Sequence, residues 1–65
     1  MSYEEDLEKL RLRAERTLGS KIKAARWMSK KNRSLSGQTP TERIRQGKAQ
    51  DVKDVLDRIE FSLHS

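Results

Sequence analysis

The chain has 65 residues, of which 32% are hydrophobic, with 15 lysines and arginines against 10 aspartates and glutamates and a net charge of +5. There is no cysteine and one histidine, His64, so disulfides, thiolate metal centres and paired-histidine metal sites are excluded as staples for a domain small enough to be marginal by itself. No apolar run approaches the ~20 residues of a membrane span. Glu4, Glu5 and Asp6 also give the N-terminus the opposite charge from a signal peptide, so a cytoplasmic protein without membrane, metal or cofactor is expected.

The pattern predicts an all-α fold, a single helical domain over 1–65 with four helices, the third short. The first helix runs from about Tyr3 to Leu18, where Leu7, Leu10, Ala14 and Leu18 recur at spacings of three and four as one apolar stripe. Its early acids and late Arg13 and Arg16 complement the helix dipole, and Gly19 is placed to cap its end. Leu12 lies off this stripe; if it too is buried, the helix packs on two sides and a homodimer follows.

The second helix begins near Ser20, a suitable N-cap, and reaches about Lys30. Its inner face is read as Ile22, Ala25 and Met28, with Ala24, Trp27 and Met28 as the alternative. Asn32 to Gln38 is a loop rich in Asn, Ser and Gly, tucked down by its one apolar residue, Leu35. Thr39-Pro40-Thr41-Glu42 then has the form of a capping box with proline at the first helical position, and the short third helix ends at Gly47 with Ile44 as its only large apolar side chain.

The fourth helix spans about Gln50 to Leu63. Val52, Val55, Leu56, Ile59 and Leu63 give the strongest helical period in the chain, with Phe61 off that stripe. The expected core is Leu7, Leu10, Ala14, Leu18, Ile22, Ala25, Met28, Leu35, Ile44, Val52, Val55, Leu56, Ile59 and Leu63.

Charge is unevenly distributed. Residues 1–8 carry four acids and no base, residues 9–33 carry ten bases against Glu15 alone, and residues 34–65 carry five of each sign. The basic block 9–33 could meet nucleic acid or an acidic protein surface, or be a solvated face. Aromatics for base stacking are scarce and no recognition-helix signature is present.

No constellation for catalysis is visible. Asp54 and Asp57 are one turn apart, but Arg58 at i+4 from Asp54 makes a surface ion pair the simpler account. His64 stands near the end of the chain without a second histidine or a cysteine to complete a site. A binding protein rather than an enzyme is expected.

From Leu10 onward the chain resembles the toxin-binding domain of the Xre/MbcA/ParS-like antitoxins. The resemblance rests on Ala14, Leu18 and Gly19, on Ala24 and Trp27, and on Asn32, Leu35, Gly37, Thr39 and Pro40 in the loop. It continues through Ile44 and Gly47 to Val52, Val55, Leu56, Ile59, Glu60 and Phe61, and covers about residues 10–63. The resemblance implies a helical module that grips and blocks a partner toxin, often of the RES-domain class that attacks NAD, and that often assembles as dimers. The chain departs from the family where Ser62 replaces the usual glycine after the aromatic residue. Only a short segment precedes the matching region, where full antitoxins usually carry a helix-turn-helix, so operator reading is not expected. An inhibitor of a host defence complex is the alternative partner class.

The candidate partner contacts are Arg26, Trp27, Lys30, Asn32, Arg33, Leu35, Gly37 and Gln38, with Arg43 and Arg45 on the third helix, where cations can steer an acidic partner. Trp27 is either a core anchor or an exposed contact, and Gly37 either part of a recognition loop or a residue that only permits a tight turn.

Overall fold

The computed structural model describes residues 3–64, with the side chain of His64 outside the described residues. Four α-helices follow in order: α1 (Tyr3–Leu18), α2 (Lys21–Ser29), α3 (Pro40–Arg45) and α4 (Ala49–His64), with a 3-10 turn at Arg33–Leu35 between α2 and α3. There is no strand among the described residues, only an isolated antiparallel bridge between Asn32 and Gln38.

α1 packs against all three other helices, and α3 closes the gap between α2 and α4. The core is Leu10, Ala14, Ala24, Met28, Leu35, Ile44, Val52, Val55 and Leu56, with Leu7, Trp27, Ala49 and Ile59 packed partly buried against it. Every helix and the 3-10 turn thus contributes, and burial of this shared set supplies the main driving force that propensity alone cannot give helices this short.

The ends of the elements are chemically satisfied. Ser20 caps α2 by accepting from the Lys23 N–H at 3.2 Å. Thr39 and Glu42 form the reciprocal capping box of α3, with Pro40 in its first turn. Gly47, at φ +79°, lets the chain leave α3 through a Schellman closure, in which the N–H groups of Lys48 and Gly47 donate to the carbonyls of Arg43 and Ile44. At the end of α2, where carbonyls lack helical partners, the Thr41 hydroxyl donates to the Met28 carbonyl at 2.8 Å and ties α3 to α2.

Four expected core residues are not in the core: Leu18, at the end of α1, is only half-buried and outside the packed set, and the other three are exposed. Ile22 is 67% exposed, Ala25 is exposed, and Leu63 is 63% exposed. On α2 the buried face is the alternative one, centred on Ala24 and Met28 with Trp27 half-buried. The reason is geometric. Trp27 falls three residues after Ala24, and a face carrying the large indole buries more area than one carrying Ile22 and Ala25. Leu63 keeps the helical period, but α4 there runs past the elements it packs on. Leu12 stands exposed opposite the buried stripe of α1, and Phe61 is 77% exposed.

A charge clasp joins α1 to α4. The Arg13 guanidinium donates to Glu60 through both Nε (3.0 Å) and Nη2 (2.7 Å) and also to Asp57 (2.6 Å). The buried Thr17 hydroxyl donates to the same Glu60 carboxylate at 2.7 Å. The hydrogen bond from Arg13, reinforced by that from Thr17, holds the Glu60 carboxyl at about 2, well below its ordinary value. Within α1, Arg11 bridges Glu8 and Glu15.

Candidate functional site

The segment from Asn32 to Gln38 is a rigid turn organised by Asn32. Its side-chain oxygen accepts from the Ser34 N–H at 2.9 Å, and its carbonyl accepts from the N–H groups of Leu35 and Gly37, each at 3.0 Å. Its own N–H donates to the Gln38 carbonyl at 3.0 Å. Leu35, 1% exposed, anchors the segment in the core.

At the apex, Ser36 (φ +57°) and Gly37 (φ +79°) both adopt positive φ, and the Gln38 N–H donates to the Leu35 carbonyl at 3.1 Å. Two successive positive φ values across such a bond are the signature of a tight turn of the mirror-image type, which glycine accepts freely and serine does not. Apart from their own chain neighbours, nothing lies within 4 Å of where a Gly37 Cβ would stand, so the apex faces open space.

Arg43 braces this turn from below. Its Nη1 donates to the Gln38 side chain at 3.1 Å and its Nη2 to Asp51 at the start of α4. Its Nε is buried without a partner among the described residues.

The ten candidate contacts therefore divide. Arg26, Lys30, Arg33, Gly37 and Arg45 are exposed. Trp27, Asn32, Gln38 and Arg43 are half-buried, and the last three are held in the hydrogen bonds that shape the turn. Leu35 is inside, so its side chain supports the surface rather than presenting to a partner.

Beside the turn runs a groove of about 270 Å³ between the 3-10 turn and α4, lined by Ser34, Val55, Arg58, Ile59, Ser62 and Leu63. Sequence reasoning missed it by assigning Leu63 to the core. The Ser36–Gly37 apex was legible only as a loop, although a Ser-Gly pair is a recognised turn signal.

The structure thus offers a braced, outward turn, an adjoining apolar groove and exposed cations on α2, the 3-10 turn and α3. No curated protein and no solved structure matches the chain. The family model of the antitoxin Xre/MbcA/ParS C-terminal toxin-binding domain matches residues 13–61, which take in the whole turn, its brace and most of the groove. The chain belongs to the family of antitoxin Xre/MbcA/ParS C-terminal toxin-binding domains.

Proposed function

We propose that this module neutralises a partner toxin without chemistry of its own, by seating the Asn32–Gln38 turn and the neighbouring groove over the toxin's working surface. The observation that carries the reading is the turn itself. Its apex is held in a strained, outward conformation by Asn32 and by Arg43, and so it meets a partner with little conformational entropy left to lose.

The groove supplies what a protein interface needs at its centre, a patch of apolar surface at Ile59 and Leu63. Arg58, which lines the groove, and the exposed Arg33, next to Ser34 in the chain, are the cations that steer an acidic partner, a contribution to on-rate more than to affinity. The partner class we put first is the RES-domain toxin that the family resemblance implies.

The test is capture by tagged protein from nuclease-treated lysate, with wild type and an Arg33→Glu/Leu63→Asp variant in parallel, followed by assay of the captured protein's activity. A partner held by the wild type, lost by the variant and inhibited in stoichiometric complex supports the reading. A captured partner that is fully active in the complex overturns occlusion. Identification of a defence complex instead of a toxin overturns the partner class and leaves the mode of action.

A further inference from the structure

We infer that the outer face of α2 binds the phosphate backbone of nucleic acid, without reading its sequence. Between Glu15 and Glu42 the chain carries seven bases and no acid. All seven are exposed, and none forms an ion pair among the described residues. The bases that do pair, Arg11, Arg13 and Arg43, lie on α1 and α3. The acids are thus placed on α1, α3 and α4, and α2 keeps its charge for something outside the chain.

Helix stability does not account for these bases. Lys21 and Lys23 stand in the first turn of α2, which contains no acid, at the end where the helix dipole disfavours positive charge.

The geometry suits a polyanion. Lys23 and Arg26 stand one turn apart on α2, on the side away from the buried Ala24, and Lys30 follows as the C-cap residue where the backbone leaves the helix. At 1.5 Å per residue this span is roughly 10 Å long. One DNA strand carries a charge about every 3.4 Å of axis, so the span covers about three phosphates. Arg33, in the 3-10 turn beyond the end of α2, extends the contact to a fourth.

An acidic protein fits the face less well. Protein interfaces are depleted of lysine and need an apolar centre. Here Trp27 is half-buried against the core, which leaves Ile22, one turn before Arg26, as the one large exposed apolar side chain of α2. α2 carries no aromatic besides Trp27, which points to backbone tracking rather than base stacking.

The experiment is fluorescence anisotropy of a labelled 20-base-pair duplex of arbitrary sequence titrated with the full chain. With about four phosphates neutralised, affinity should fall about 150-fold between 50 and 200 mM salt, since each contributes a slope of about −0.9 in log–log form. Lys23→Glu/Arg26→Glu/Lys30→Glu should abolish binding. Lys9→Glu/Lys48→Glu/Lys53→Glu, an equal charge change on exposed positions elsewhere, should keep most of it. Helical circular dichroism of both variants verifies that these surface changes leave the fold intact.

Absence of binding at 50 mM salt overturns the proposal. So does equal loss in both variants, which would reduce the effect to net charge. Polyglutamate of matched charge binding as tightly as the duplex would assign the face to an acidic protein, and the nucleic-acid inference would fall while the partner-protein reading stood.

Discussion

Arg43→Met and Arg45→Met separate a residue that shapes the surface from one that presents to a partner. Both arginines lie on α3 and look equivalent in the sequence. In the structure, the Arg43 side chain is 18% exposed and bonded to Gln38 and Asp51, whereas Arg45 is exposed and outside any ion pair among the described residues. Methionine keeps the aliphatic stem and removes the guanidinium. Hydrogen bonds to charged groups contribute about 1.5–3 kcal/mol, but Asp51 and Gln38 can both turn to water, which puts the loss near the lower end. Removing the unpartnered buried Nε returns part of that. A net loss of about 1 kcal/mol follows, or roughly 4–8 °C in a domain of this size. Arg45→Met should stay within about 0.5 kcal/mol. Thermal melts give the stability, and amide exchange gives the location, with faster exchange at Gly37 and Gln38 in Arg43→Met alone. Equal destabilisation by both variants, or unchanged exchange in the turn, would refute the brace.

Leu56→Ala, at a fully buried position, should cost about 2–5 kcal/mol and come close to unfolding the chain, while Leu63→Ala, on the same sequence stripe, should cost less than about 1 kcal/mol; urea titration followed by circular dichroism compares them. Glu60 has its carboxyl held at about 2 in the folded chain against 4.5 ordinarily, so its contribution is complete above about pH 4.5 and is lost as pH falls towards 2. Glu42, lowered by the Thr39 backbone N–H, acts in the same direction. Glu60→Gln should therefore show a smaller drop in urea midpoint between pH 6 and pH 3 than wild type. Ser36→Asn should stabilise by about 0.5 kcal/mol, because asparagine tolerates the left-handed region better than serine. Gly37→Val should destabilise by about 1–2 kcal/mol through the backbone alone, since its Cβ meets nothing. Chemical denaturation checks both.

Much of the fold was legible because its signals are local. The capping box at Thr39–Glu42 and the period of Val52, Val55 and Leu56 fix α3 and α4 almost residue by residue. What failed was the choice between two faces on α2. Ile22 and Ala25 share one helical face, Ala24 and Trp27 another, and only the positions of α1 and α3 decide which is covered. Leu63 failed for a related reason, since a periodic pattern does not say where the neighbouring elements stop. For the site, the exposed cations were visible in the sequence. The division of Arg43 from Arg45 was not, because it depends on Asp51, eight residues from Arg43 along the chain. The Arg13–Glu60 clasp was likewise out of reach of any local rule.

That clasp bears on the order in which the chain can fold during synthesis. Arg13 and Glu60 are 47 residues apart, and closing a loop of that length costs about 3.4 kcal/mol in chain entropy before a constant. The hydrogen bonds of the capping box and of the Asn32 turn close between near neighbours, but the Leu35 anchor and the Arg43 brace both wait for α4. α1 has to wait: the strip that carries Arg13 and Thr17 meets its counterpart only once Glu60 has been made. A growing chain therefore completes its partner-facing turn only when α4 joins α1 around Leu35, so the surface and the body that carries it are finished in one step.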